Sequence, residues 1–246
     1  MQARDTKATM SESLIRISKL LAARGVCSRR EADDYLERGL VQIDGRRAEL
    51  GEKASADAVL TLAPQARARQ KRRVTVLLHK PPGYVSGQPE KGYASAHVLL
   101  TPERYAGARA PRLPATLAVA GRLDIDSTGL LVFTDDGRTA RLLIGGHAIT
   151  KEYHVRLAAP IDDRALERLR GPLSLDDRPL RPVGVTRLGP ETVSMTLTEG
   201  RKRQIRRMVA LVGHEVRALK RVRIGEVRLG GLAPGRWRLL NPGERF

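Results

Sequence analysis

Gly121-Arg122-Leu123-Asp124-Ile125-Asp126-Ser127-Thr128-Gly129-Leu130-Leu131 separates two apolar runs, Leu117 to Ala120 and Leu130 to Phe133. The stretch reads as strand, turn, strand, with charge and glycine breaking what is otherwise a buried pattern. A bare charge in a core is strongly unfavourable, so a carboxylate here is either exposed at the turn or held by a cation. Asp and Gly also serve turn geometry. Polar residues that break a local rule are candidates for function. On pattern alone, Asp124 and Asp126 are equal suspects.

Outward from this stretch the chain reads mainly as strand. Val74 to Leu78 is a β-rich run that enters His79-Lys80-Pro81-Pro82-Gly83, where two prolines and a glycine force a turn. Residues 99–116 hold Pro102, Pro111 and Pro114 with little periodicity and read as loop. Arg138 to Ile144 reads as a short helix stopped by Gly145-Gly146. Lys151 to Leu157 alternates, with Tyr153, Val155 and Leu157 on one face. Asp162 caps a helix carrying Ala165, Leu166 and Leu169. Thr192 to Thr198 alternates again, with Val193, Met195 and Leu197 inward. From Lys202 to Val212, Ile205, Met208, Val209 and Val212 form an apolar helical stripe, leaving Arg203, Arg206 and Arg207 elsewhere on the cylinder. In residues 215–224, alternation puts Val216, Ala218, Val222 and Ile224 on one face and Leu219 with Arg217, Arg221 and Arg223 on a basic face. These patterns predict an α+β domain over 74–246, built on a largely antiparallel mixed β-sheet flanked by helices.

The preceding residues read differently. Ile17, Leu20, Leu21 and Arg24 lie at helical spacing, with Gly25 as a stop. Ser28-Arg29-Arg30-Glu31 is a capping box opening a second helix to about Arg38, with Ala32, Tyr35 and Leu36 inward and Gly39 ending it. Val41-Gln42-Ile43 and Arg47-Ala48-Glu49-Leu50 flank Asp44-Gly45, a hairpin signal. Residues 14–62 thus form a small α/β domain, preceded by a mobile tail over 1–13. Residues 63–73 form a basic linker, expected to extend under its own charge.

Across its 246 residues the chain has a net charge of +18, with 45 Lys and Arg against 27 acids. Such a balance points to an anionic polymer as partner. The charge is clustered: nine cations and one acid over 201–223, and five cations with no acid over 67–73. Clustering fits phosphate contacts. No apolar run approaches the roughly 18 residues of a membrane span, and Met1 to Glu12 lack the apolar core of a secretory signal. With Cys27 as the single cysteine, a reducing cytoplasm is expected. A monomer without membrane partners is the expected state.

Several chemistries fail on inventory. His79, His97, His147, His154 and His214 form no helical metal pair and there is no cysteine cluster, so no metal site is expected. The P-loop and the dinucleotide fingerprint are absent. Asp124-Ile-Asp126-Ser-Thr128 resembles the Asp-x-Asp-x-Thr opening of haloacid-dehalogenase-type phosphatases. Against this, Gly121-Arg122 replaces the end of an apolar strand and sets a cation where magnesium would bind. A single nucleophilic carboxylate fits better, held by an arginine fork beside a flat surface for a base.

At this point the motifs converge. Gly121 to Leu130 resembles the signature of RNA pseudouridine synthases of the RsuA-like group, which includes RluB, RluE and RluF. His79-Lys80-Pro81-Pro82-Gly83 resembles that family's Lys-Pro-x-Gly turn, Lys151-Glu152-Tyr153 its tyrosine motif, and Arg203-Gln204-Ile205-Arg206-Arg207-Met208 its late basic helix. Leu219 to Gly225 resembles the segment after it. Residues 25–55, GVCSRREADDYLERGLVQIDGRRAELGEKAS, resemble the small RNA-binding domain first described in ribosomal protein S4. The resemblance implies uridine isomerisation in RNA without cofactor or metal, on a base flipped from its stack. It implies Asp124 as nucleophile, Arg206 as its ion-pair partner and Tyr153 stacking on the target base. Leu219 packs in the pocket, and Arg122, Arg203, Arg207 and Lys80 contact substrate. In the first domain it implies that Arg16, Lys19, Ser28, Arg29 and Arg30 face structured RNA. The wording favours the RluF-like, large-subunit branch, with 23S rRNA as target. Small-subunit rRNA or tRNA is the alternative target, and a non-catalytic ribosome-assembly protein the alternative class. The expected partner is a ribosomal RNA stem-loop, free or in an assembly intermediate.

Overall fold

The computed structural model describes residues 14–145 and 149–246. The expected tail, Gly146 of the helix stop, and His147 lie outside the described residues. The chain divides into two compact units, one ending at Arg73 and taking in Asp136–Arg138, the other made of Val74–Asp135 and Thr139–Phe246.

In the first unit, β1 (Ile15–Arg16) leads into α1 (Ile17–Ala23) and α2 (Arg29–Glu37). The strands β2 (Val41–Ile43), β3 (Arg46–Arg47), β4 (Lys53–Ala54) and β5 (Leu60–Leu62) follow, then α3 (Pro64–Lys71). The order β3-β2-β5 makes one small sheet, and β1 pairs with β4. The capping box forms as expected: Ser28 Oγ accepts from Glu31 N, and Glu31 Oε2 accepts from Ser28 N. Asp44 and Gly45 both have positive φ, 47° and 84°, as the tight hairpin requires. Ile17, Leu21, Tyr35 and Val41 are fully buried in one core. Each such side chain contributes roughly 1.5–3 kcal/mol.

The basic stretch after residue 63 does not extend. Pro64 starts α3 at a position where its missing N–H costs nothing. Ala66 is completely buried in the first core, Gln70 donates to Val26 O at 2.8 Å, and Arg69 pairs with Asp34 at 2.8 Å. Packing and neutralised charge overcome the self-repulsion that argued for an extended joint.

The second unit holds β6 (Thr75–Lys80), β7 (Ala118–Val119), β8 (Thr128–Thr134), α4 (Gly137–Gly145) from Thr139 onward, β9 (Lys151–Leu157) and α5 (Asp163–Arg170). Next come β10 (Ser174–Leu175), β11 (Arg178–Pro179), β12 (Gly184–Gly189), β13 (Thr192–Leu197) and α6 (Gln204–Leu211). The chain closes with β14 (Val216–Ile224), β15 (Val227–Arg228) and β16 (Trp237–Leu239). Nine strands form one sheet, in the order β12-β13-β9-β14-β8-β6-β16, with β15 on β14 and β7 on β8. Every pairing in it is antiparallel except β14 with β8, which is parallel. The architecture is the mixed, largely antiparallel α+β sheet that the alternation predicts.

Alternation divides the core. Leu78, Leu131, Phe133 and Trp237 pack on one face of β6 and β8, while Leu77, Leu130 and Val132 pack on the other with Leu143 of α4. The stripe of α6 (Ile205, Met208, Val209) and that of α5 (Ala165, Leu166, Leu169) cover Val155, Leu157, Val193 and Met195. Tyr153 touches both this cluster and the one around Leu78.

In β14 simple alternation fails. Register shifts lie between Val216 and Ala218 and between Arg221 and Arg223. Ala218 is therefore exposed, and Leu219 joins Val216 in the core opposite Val155. A bulge adds a residue and moves later side chains to the other face. The expected grouping of Leu219 with exposed arginines is thus corrected.

Candidate active site

Residues 121–127 form a loop that enters β8 and is clamped by the turn after β6. Ser86 Oγ donates to Leu123 O at 2.7 Å and accepts from Leu123 N at 2.8 Å. Gly83 N donates to Ile125 O at 2.9 Å. Lys80 is 0% exposed, and its ammonium donates to Pro81 O at 2.9 Å, Ser127 O at 2.8 Å and Ile125 O at 3.4 Å. Burial brings the Lys80 pKa down to about 8, against the opposing pull of Asp126 and Asp124 and with a smaller push from Arg221. The proline-rich turn after β6 is thus a bracket for the loop. Lys80, expected to contact substrate, is instead sealed in the interior on backbone carbonyls.

Glycine fixes the loop's exit. Gly129 has φ +107°, and a Cβ there would lie 2.2 Å from Arg221 O. Only glycine allows β8 to run this close to β14, where Arg221 pairs with Gly129 and Lys220 with Thr128.

The two carboxylates separate in environment. Asp126 is exposed and accepts two arginines on Oδ2, Arg206 Nη2 at 3.0 Å and Arg203 Nη1 at 3.2 Å. Asp124 is half-buried and takes part in no ion pair within 4.0 Å among the described residues. The expected Arg206–Asp124 pair is therefore not present; Arg206 spans from Val216 O, at 2.9 Å, to Asp126. Asp126 stands at the solvent side of the loop, within reach of the first turn of α6. Arg203 enters that turn in the left-handed conformation, φ 51°, which is strained for a side chain of its size.

The remaining expected residues scatter. Tyr153 lies opposite Arg221 on β14 and opposite Met195 on β13. Arg122 is exposed at the loop entry. Leu219 is 7% exposed, within the core. Arg207 is not at the loop: its guanidinium grips Asp176 at 2.6 and 3.0 Å, because α6 turns that side toward the β10–β11 hairpin. This pairing holds the Asp176 carboxyl below the usual range. Sequence reasoning missed Ser86, which carried no signal beyond ending a turn, and Arg221, which β14 alternation placed on a basic face. Arg221 is 1% exposed and donates to Leu130 O and Arg122 O.

In the first unit, Arg16, Lys19, Arg29 and Lys53 line one cleft of about 490 Å³, with Asp33 as its acid. Ser28 is spent on the α2 cap, and Arg30 is exposed but not among the residues lining that cleft.

A basic module ahead of a mixed sheet that presents a bracketed carboxylate loop describes an RNA-modifying enzyme. Residues 74–211 match the family model of RNA pseudouridylate synthases, and residues 15–60 match that of the S4 domain. The chain belongs to the RNA pseudouridine synthase family and carries an S4 domain ahead of the enzyme domain. It is 34% identical to an uncharacterized RNA pseudouridine synthase of Aquifex aeolicus (strain VF5), over 94% of both chains. It is 32% identical to the dual-specificity RNA pseudouridine synthase RluF of Escherichia coli (strain K12), covering 96% of this chain and 78% of that one. It is 34% identical to the ribosomal large subunit pseudouridine synthase B of Shigella flexneri, covering 93% and 79%. A crystal structure of a pseudouridylate synthase superposes with a TM-score of 0.62 at 25% identity, covering 92% of this chain and 96% of that one.

Proposed function

We propose that this enzyme converts a specific uridine of ribosomal RNA, in the large subunit, to pseudouridine, with Asp124 as nucleophile. The observation that carries the reading is the 121–130 loop. Lys80, Ser86 and Gly83 fix its backbone, Asp126 is neutralised by arginines, and Asp124 is left as its unpaired carboxylate. The name of the ribosomal large subunit pseudouridine synthase B relative supports ribosomal RNA as target.

Asp124 attacks the flipped uridine, at the sugar or at the base, and the glycosidic bond breaks. The uracil turns while Tyr153 supports its face and rejoins the sugar through C5; the C5 proton then leaves to solvent and N1, freed from the sugar, takes one up. The carboxylate is released and no atom is gained or lost, so the step needs no oxidant or cofactor. Leu219 shapes the apolar wall, Arg122 and Arg203 meet the flanking phosphates, and Arg206 fixes the loop through Asp126. Residues 14–62 dock structured rRNA, α3 and the basic residues around it (63–73) lead into the catalytic domain over 74–246, and the enzyme acts as a monomer.

The test pairs pseudouridine maps of rRNA, with and without the protein, with an Asp124→Asn variant. One uridine is expected to lose its modification without the protein, and Asp124→Asn to bind RNA yet form no pseudouridine. Normal turnover by that variant overturns the assignment of the nucleophile, and an unchanged rRNA map overturns the target.

A further inference from the structure

Two buried cations lie beneath the catalytic loop, and neither has a carboxylate within 4.0 Å among the described residues: Lys80 and Arg221. Burying a charge without a partner is costly, and an apolar side chain of similar volume fills such a place at lower cost. Packing therefore does not account for an arginine at position 221.

Its hydrogen bonds give an account. Nε donates to Leu130 O at 2.8 Å and Nη1 to Arg122 O at 3.2 Å, while Nη2 is buried with no partner. Arg122 and Leu130 flank the loop that carries Asp124, so one planar group spans its entry and its exit. A guanidinium fork can hold two fixed acceptors at once; a lysine ammonium is a single point on a flexible stem. The backbone of Arg221 is meanwhile paired with Gly129 on one side and Tyr153 on the other. One residue thus ties the loop of the nucleophile to the strand of the stacking tyrosine. Asp126 is already occupied by Arg203 and Arg206, so its charge does not serve Arg221.

We propose that Arg221 is a positioning residue for the isomerisation: its fork fixes the Asp124 loop against the Tyr153 strand. The proposal rests on Asp124 being the nucleophile.

The test uses the full chain with Arg221→Lys and Arg221→Gln, measuring kcat and KM on rRNA, thermal melting, and amide exchange over residues 122–130. A displacement of about 1 Å at a reacting centre costs on the order of 100-fold in rate. Both variants are therefore expected to lose about 100-fold in kcat per folded molecule. KM should stay within about two-fold, and exchange should quicken at 122–130 but not in β9 or β13. Native kcat in folded Arg221→Lys, or a loss matched by the unfolded fraction, overturns the proposal. If both variants fail to fold, Arg221 belongs to the scaffold and the proposal is overturned as well. Asp124→Asn runs in parallel. Turnover surviving there breaks the nucleophile reading, whereas an inactive Asp124→Asn beside a fully active Arg221→Lys breaks only the positioning role.

Discussion

Gly129→Ala tests whether the seam between β8 and β14 sets the geometry of the site. A methyl group at this position meets Arg221 O at 2.2 Å, whereas ordinary contact begins at 3.4 Å. The strands must therefore separate by 3.4 − 2.2, or about 1.2 Å, or the backbone must leave φ +107°. Holding alanine at that φ adds about 1–3 kcal/mol. Among the described residues the β8–β14 pairing is the strand contact that joins the two halves of the sheet, β12-β13-β9-β14 and β8-β6-β16. Asp124 enters from the β8 side and Tyr153 sits on β9, so a shift at the seam becomes a shift between the proposed nucleophile and the proposed stacking surface. A misplacement of that size corresponds to about 100-fold in rate. The assay is single-turnover pseudouridine formation at saturating enzyme, with circular dichroism confirming that the sheet persists. A folded Gly129→Ala enzyme with native single-turnover rate would refute the argument that the seam fixes the distance.

Lys80 titrates near 8 in the fold against an ordinary 10.5. The unfolded chain therefore binds more protons between those values, and the contribution of Lys80 to stability rises with pH through that window. The rise is about 3 kcal/mol at most, at 1.36 kcal/mol per pH unit. Urea unfolding of the native chain and of Lys80→Met from pH 7.5 to 10 should show the native chain gaining stability relative to the variant as pH rises; a constant difference contradicts the buried ammonium. For the S4 domain, Arg16→Ala combined with Lys19→Ala should weaken binding to folded rRNA and flatten the dependence of log K on log salt by about 1–2. An unchanged salt slope means that this cleft does not meet phosphate.

Local rules made much of the scaffold legible. The Ser28 capping box, the Asp44-Gly45 hairpin, the Asp162 cap and the α6 stripe all depend on residues close in sequence, and all form as read. What alternation cannot see is a bulge. In β14 it exchanged the surroundings of Ala218, Leu219 and Arg221, because one added residue reverses the side chains that follow, until the second shift, between Arg221 and Arg223, restores them. Long-range partners were equally hidden. Arg206 was expected on Asp124, yet which carboxylate of a short loop meets a helix depends on how that loop is pinned. The pinning groups, Lys80 and Ser86, lie some 40 residues upstream of the carbonyls they hold. Arg207 and the α3 segment went the same way: net charge predicts solvent or RNA, and the fold supplied Asp176 and Asp34 instead.

The strap on the catalytic loop also orders events during synthesis. Arg221 follows its acceptor Leu130 by 91 residues, and Arg122 by 99. The pairings of β13 with β12 and β9 and of β6 with β8 use strands made before β14 and can form while the chain is still emerging. The seam cannot close until β14 has left the ribosome. The S4 domain, complete by residue 60, is therefore available before the proposed catalytic geometry, which waits for the last strands.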